Sequence, residues 1–319
     1  MSDQKCNKLE ESKGRRMGEG LCSSGPYTQA TRGQEQVGPG TESKSGSGRN
    51  RPDHIQRRSG EVKGTLVDWD ELHCVCLNAR SLINKFDVFQ SWITAIKPDI
   101  IGVTETWANK NISEAELTIA GYNFFCRDRP SDREGGGVIL YVSSKLQAVE
   151  YVPQSNFPKQ IWCQILDRNH DKLFIGVCYR TPTDSIFDTD THSALRELLS
   201  EFGSSGRHFL LMGDFNYPLS RWPPQLDSDG LSGQAKEFCH CLEDKFLVQH
   251  VTTPTRNENI LDLVITDEPD MVTDIIDLGA LATSDHHALH WKLLFSTVSC
   301  EFLQCFDAVG WAAGRASGL

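Results

Sequence analysis

The chain has 319 residues, 39% hydrophobic and 24% charged, and its seven Trp and fifteen Phe are enough for a sizeable buried core. No apolar run approaches the ~18 residues a membrane helix needs, and Met1 to Gly20 lacks the apolar stretch of a secretory signal. A formal net charge of −11 argues against tight phosphate binding by the chain as a whole.

The charge is uneven. Residues 1–64 hold 12 Lys/Arg against 8 Asp/Glu, and the remainder holds 20 against 35. Residues 1–64 are also rich in Gly, Ser and Gln without apolar periodicity, which predicts a disordered polar tail. Its paired basics, Arg15-Arg16 and Arg57-Arg58, read as solvated charge in preference to a nuclear-import or nucleic-acid arm.

From Leu72 the pattern changes. Leu72 to Leu77 (LHCVCL) is a buried-strand signal, and Leu82 to Ile96 places Phe86, Phe89, Ile93 and Ile96 at helical spacing. Pro98 ends that helix and Ile100 to Val103 is a second apolar strand, giving a parallel βαβ unit. Strands follow at Gly137 to Val142, Gln147 to Val152, Ile161 to Leu166 and Lys172 to Tyr179, then a helix near Thr191 to Phe202. Phe209 to Met212 is a strand, and Gly233 to Phe246 a helix with Phe238, Leu242 and Phe246 on one side. Ile260 to Thr266, Val272 to Leu278 and His287 to Leu294 complete the strands. Strands outnumber helices, which predicts two mixed sheets packed face to face with helices outside: a four-layer α/β/β/α sandwich over 65–296, with 297–319 as an appended tail.

Eleven cysteines accompany no export signal, so the protein is expected to be reduced and intracellular, the nucleus favoured over the cytoplasm. Cys74, Cys76, Cys163 and Cys178 read as core thiols. Cys239 and Cys241 flank His240, but C-x-C is not a zinc knuckle.

Five polar clusters stand at strand ends: Asn78, Glu105, Tyr179, Asp214 with Asn216, and Ser284-Asp285-His286. One such carboxylate is ordinarily a turn residue, and Asp214-Phe215-Asn216 alone could be an Asx-turn. Five clusters beside apolar strands suit phosphodiester hydrolysis, which needs a hard cation on the phosphate, a base for water and donors for oxyanion charge. Glu105 is an oxygen ligand of the magnesium-preferring kind, and Asp214 can orient and deprotonate water. Asn78, Asn216, Tyr179 and His286 can donate to phosphate oxygens.

The pieces LNARSL (77–82), TETW (104–107), GGGVILYV (135–142), CYRTP (178–182), GDFN (213–216), TRNENILDLVIT (255–266) and SDHHAL (284–289) occur in that order. Over about residues 72–295 the chain thereby resembles the endonuclease/exonuclease/phosphatase superfamily, which includes DNase I and the abasic-site endonucleases. It is most similar to the endonuclease domain of non-LTR (LINE-type) retrotransposons. The resemblance implies that Glu105 holds magnesium (or manganese) with Asn78 and Asp285, and that Asp214 activates water. It also implies that Asn216 and Tyr179 stabilise the phosphate, and that Asp262 orients His286 on it. DNA is the implied substrate, nicked as in target-primed retrotransposition by a monomer. An intact element would add a reverse transcriptase, which this chain lacks. Abasic-site enzymes carry an acidic residue where Arg80 stands, which counts against abasic repair. Arg80, Arg127, Arg129, Arg133 and Arg256 are candidate contacts to the DNA backbone, with solvated loop charge as the alternative. A lipid or nucleotide phosphodiesterase on the same site, and a retrotransposon-derived relic that no longer uses its site, remain as other readings.

Overall fold

Alternating apolar residues decide which way each strand faces. Along Glu71–Asn78, Leu72, Cys74 and Cys76 enter one apolar core, while Val75 and Leu77 enter another. The first core fills the space between two sheets and continues under helices on the outer face of one of them, and the second lies beneath a helix on the outer face of the other. The computed structural model describes residues 56–58, 71–128, 135–166, 171–182, 187–224, 231 and 233–295.

The strands in chain order are β1 (Gln56–Arg58), β2 (Glu71–Asn78), β3 (Ile100–Thr104), β4 (Tyr122–Arg127), β5 (Val138–Ser143), β6 (Ala148–Tyr151) and β7 (Gln160–Leu166). They continue with β8 (Lys172–Tyr179), β9 (Phe209–Leu219), β10 (Val248–Gln249), β11 (Ile260–Thr266), β12 (Val272–Ala280) and β13 (His287–Leu294). The helices are α1 (Phe86–Ile96), α2 (Phe187–Gly203) and α3 (Gly233–Asp244). One sheet runs β1-β4-β5-β3-β2-β13-β12 and the other β10-β11-β9-β8-β7-β6. Each sheet holds one parallel pair, β2 with β3 and β8 with β9, among antiparallel neighbours. This is the four-layer α/β/β/α sandwich expected from the sequence.

Packing explains several residue choices. α1 buries Phe89 and Ile93 against Tyr141, Val75 and Ile101, and ends where Lys97 turns left-handed ahead of Pro98. The two sheets approach so closely at Gly102 that a Cβ there would lie 2.7 Å from Met212 Sδ. On the outer side of the second sheet, Trp162 stacks on Phe202 of α2 with ring centroids 4.1 Å apart.

The structure departs from the sequence reading in places. β1 pairs with β4 inside the segment expected to be disordered, because main-chain hydrogen bonding needs no apolar side chains. β4 and β10 were not foreseen, β4 because only Phe124, Phe125 and Cys126 form an apolar run in YNFFCR and β10 because it is two residues long. β9 continues past Met212 through the polar residues Asp214 and Asn216. Phe246, expected on the apolar face of α3, lies beyond the helix and is 86% exposed. Cys239 and Cys241 are buried in α3 as free thiols, burial pushing Cys239 up to about 12. The segments 1–55 and 297–319 lie outside the described residues. Among the described residues no helix is long and apolar enough to cross a membrane.

One half-buried titratable group, just past β10 and away from the polar clusters, ties the fold to pH. His250 Nε2 lies 2.7 Å from Thr266 Oγ1, whose own hydrogen goes to the Glu268 carbonyl, so the neutral ring donates. Burial pushes the His250 pKa down from 6.5 to about 4. The unfolded chain therefore takes up the proton first, and this contribution to stability is complete above about pH 6.5 and is lost as pH falls toward 4. Urea unfolding of wild type and His250→Gln between pH 7 and 4 will show a steeper loss for wild type.

Candidate active site

The register of the strands gathers the polar residues. Asn78 ends β2 opposite Thr104 of β3, and Glu105 follows immediately. Tyr179 of β8 lies opposite Asp214 of β9, which lies opposite Asp262 of β11. Paired residues share a face, so Tyr179, Asp214 and Asp262 leave the second sheet on the same side as Met212. Asn78 continues the Leu72, Cys74, Cys76 series and faces them from the first sheet.

The side chains then interlock. Asn78 Nδ2 donates to Asp214 Oδ2 at 2.8 Å, and the Asn216 amide donates to Asp214 Oδ1 at 3.0 Å. His286 Nδ1 meets Asp262 Oδ2 at 2.7 Å, leaving Nε2 4.0 Å from Asp214 Oδ2. Glu105 accepts from Trp107 Nε1 at 2.9 Å and from the Tyr179 hydroxyl. Asn216 Nδ2 donates to the Arg180 carbonyl at 2.7 Å, and buried Arg180 returns a bond to the Asn216 carbonyl at 3.1 Å. Backbone strain is concentrated at the same place: Arg80, Ser81, Glu105, Trp107 and Asn216 all have positive φ.

Charge balance follows from burial. Asp214 and Asp262 are 1% and 0% exposed and occupy adjacent positions on neighbouring strands. Burial, and then the Asp262 charge, push the Asp214 pKa up to about 8, against the lowering effects of His286, Asn78 and the Asn216 amide. Burial alone would lower the His286 pKa, but the hydrogen bond and charge of Asp262, with Asp214, raise it overall. Tyr179 is raised by burial and then by the Glu105 carboxylate.

The donor set fits a hard divalent cation. Glu105, Asn78, Asp214 and Asp262 offer oxygen, and one ligand atom from each of Asp214, Asp262 and His286 lies within 4.8 Å of the others. Asp262 Oδ1 is buried without a hydrogen-bond partner, an acceptor left open for a cation.

Other expected residues are arranged differently. Asp285 Oδ2 is shared by Arg256 Nη2 at 2.6 Å and Arg80 Nη1 at 3.2 Å, so this expected metal ligand is an anchor between two guanidiniums. Those guanidiniums, 36% and 54% exposed, stand beside the site. Arg256 faces close enough to Tyr179 to act on its ionisation. Arg127 lies three strands from Asn78 along one row of the first sheet, through Val138 and Thr104. Arg129 and Arg133 lie outside the described residues.

Sequence reasoning missed supporting residues. Trp107 stands in TETW, yet only the structure gives it Glu105 as a partner. Thr255 Oγ1 accepts from the amides of Leu261 and Asp262 at 3.1 and 3.0 Å, fixing the Asp262 backbone. Ser284 Oγ donates to the Asn78 carbonyl at 2.8 Å, tying β13 to β2. Gly213 has φ +139, and a Cβ there would meet the Cys178 carbonyl oxygen at 2.0 Å. No periodicity marks such pairings, whether local, as between Trp107 and Glu105, or between distant segments, as between Ser284 and Asn78.

A buried, acidic, oxygen-rich centre at the strand ends of a two-sheet sandwich defines a phosphoester hydrolase. The chain belongs to the endonuclease/exonuclease/phosphatase family, whose sequence pattern matches residues 77–286. No curated protein sequence matches it. Its fold resembles that of the AP endonuclease LMAP from Leishmania major, at TM-score 0.56 and 14% identity over 71% of this chain and 89% of that one. It is similar at TM-score 0.55 and 15% identity to the endonuclease domain of TRAS1, a telomere-specific non-LTR retrotransposon, over 70% of this chain and 98% of that one. An AP endonuclease from Archaeoglobus fulgidus matches at TM-score 0.55 and 16% identity, covering 70% and 100%.

Two outcomes follow for the site. Gly213→Ala will lower the unfolding free energy by about 2–4 kcal/mol, from the backbone clash and the strained φ, in urea titration. In metal-free protein, ionising Asp214 opposes folding, because its pKa is 3.8 unfolded and about 8 folded. Stability is fully present below about pH 4 and is lost as pH rises toward 8. Asp214→Asn removes this dependence, so its melting temperature in EDTA will gain on wild type steadily from pH 5 to 8.

Proposed function

We propose that the protein is a divalent-metal-dependent DNA endonuclease that nicks one strand, of the kind non-LTR retrotransposons use at their targets. The observation that carries the reading is the joint placement of Asp214 against Asn78 and of His286 against Asp262, 2.8 and 2.7 Å apart, at one end of the paired sheets. The TETW, GDFN and SDHHAL motifs, and the fold likeness to the TRAS1 domain, support the same reading.

Glu105, Asn78 and Asp214 would hold magnesium or manganese, which when bound neutralises phosphate charge and stabilises its increase in the transition state. Asp214 accepts the proton of the attacking water, its carboxylate aimed by Asn78 Nδ2 and the Asn216 amide. His286, oriented through Nδ1 by Asp262 and favouring the cationic form, presents Nε2 to a non-bridging phosphate oxygen. The second hydrogen of Asn216 Nδ2 serves another phosphate oxygen, its first being fixed on the Arg180 carbonyl. Tyr179 gives its one hydrogen to Glu105, so it holds that carboxylate until a phosphate competes for the donor. Arg80 and Arg256, held beside the centre by Asp285, form a basic rim on an otherwise acidic domain.

Supercoiled plasmid incubated with the full chain and magnesium will be converted to relaxed circles, and EDTA will abolish conversion. Asp214→Ala will reduce the rate on the order of 10³-fold while the variant stays folded by circular dichroism. A folded wild type that leaves plasmid intact yet hydrolyses a nucleotide or phospholipid diester would replace DNA as the substrate.

A further inference from the structure

A cavity of about 440 Å³ lies outside the centre just described, lined by Arg127, Tyr151, Val152, Pro153, Asn156 and Phe157 among others. Its walls come from the end of β4 in the first sheet and from β6 and β7 at one edge of the second. Arg127 ends β4 and shares the parity of Phe125, which enters the core between the sheets, so its side chain leaves toward the second sheet. The opposite wall is the connection from β6 to β7.

Strand register fixes where this cavity opens relative to the catalytic end. In the first sheet, Arg127, Val138, Thr104 and Asn78 form one row of paired residues. Three strand steps of about 4.8 Å put Arg127 roughly 14 Å from Asn78. In the second sheet, Gln160 pairs with Cys178, and the Tyr179 amide bonds the Lys159 carbonyl at 2.9 Å. The 152–160 loop thus ends beside Tyr179. Lys159 Nζ sits 4.8 Å from the Tyr179 ring centroid, a positive charge between the centre and the cavity. A span of about 14 Å covers about two nucleotides of a strand, whose successive phosphates lie roughly 7 Å apart although the rise along the axis is only ~3.4 Å.

The lining has the two chemistries a nucleotide needs. Tyr151, Val152 and Pro153 give an apolar surface over buried Phe157, and Val152 is 67% exposed. Arg127 supplies the cation. Burial disfavours its charge, Glu150 acts in the opposite sense, and its Nε is buried with no hydrogen-bond partner. An anionic oxygen is the natural acceptor for that donor. Most of the remaining polar groups are committed: Gln160 bonds the Ser155 carbonyl and Trp162, and Tyr151 bonds Glu201. The volume falls within the roughly 300–1,000 Å³ range of small-ligand sites.

We propose that this rim cavity takes one nucleotide of the DNA strand about two positions from the cut phosphate, its base on the apolar wall and its phosphate on Arg127. The inference rests on the DNA reading above and adds a length and position requirement to it.

The test compares the full chain on a 12-nucleotide duplex with the chain on thymidine 5′-(p-nitrophenyl phosphate), a diester too short to reach Arg127. The readout is the ratio of kcat/KM for the long over the short substrate. Arg127→Gln, and Val152→Asp on the apolar surface, will each lower that ratio about tenfold, the loss of one charge-assisted hydrogen bond or its repulsive equivalent. An unchanged ratio with plasmid nicking intact would overturn the cavity assignment alone. Equal loss on both substrates would make these residues structural and overturn it as well. Free dAMP bound by wild type and not by Arg127→Gln, with the ratio unmoved, would assign the cavity to a soluble nucleotide instead. Hydrolysis of the short diester without cleavage of any DNA would remove the DNA reading and this inference together.

Discussion

Asp214 and Asp262 sit opposite each other on neighbouring strands, both almost fully excluded from water. Two buried like charges at that separation repel, and neither could stay ionised without compensation. Most of the surrounding arrangement supplies it. Asn78 and the Asn216 amide donate to Asp214, His286 donates to Asp262, and the oxygen donors left over suit a divalent cation. The site is thus destabilising by construction, in the way that centres tuned for proton transfer generally are.

That cost is borne by the sheets. Positive φ at Arg80, Ser81, Glu105, Trp107 and Asn216 adds strain of about 1–3 kcal/mol for each residue, which persists only because the flanking backbone is over-determined. Two parallel strand pairs, β2 with β3 and β8 with β9, lie in the middle of their sheets and carry these residues at their ends. Their contact at Gly102 and Met212 leaves no slack for one sheet to slide on the other. Ser284 and Thr255 then bind the β13 and β11 segments to the same frame. Precision at the centre therefore comes from rigid strands, and substrate choice is left to the rim.

The fold was legible because strands buried on both faces read as short continuous apolar runs and helices repeat at about 3.6 residues. LHCVCL, FIGVC, FLLM and ILDLV each announced a strand, and Phe89 with Ile93 announced α1. β4 escaped because its apolar run is only three residues, Phe124 to Cys126, between Asn123 and Arg127, and β1 because an edge strand can form on backbone bonds alone. Phe246 was misplaced because helical spacing cannot say where a helix stops. At the centre, the chemical types were visible in GDFN, TETW and SDHHAL. Asp285 was not understood, because nothing in those motifs brings Arg80 and Arg256 to the same carboxylate.

The sequence by itself determined the class of fold, the family and the inventory of carboxylates, amides and imidazole, since local patterning and short motifs carry that information along the chain. Tertiary structure alone decided that Asp214 faces Asp262, that Trp107 and Tyr179 hold Glu105, and that Arg127 shares a cavity with the β6–β7 loop. Apart from the local bond of Trp107 to Glu105, those are contacts between segments tens of residues apart. Strand register sets them, and register exists only once the two sheets have packed.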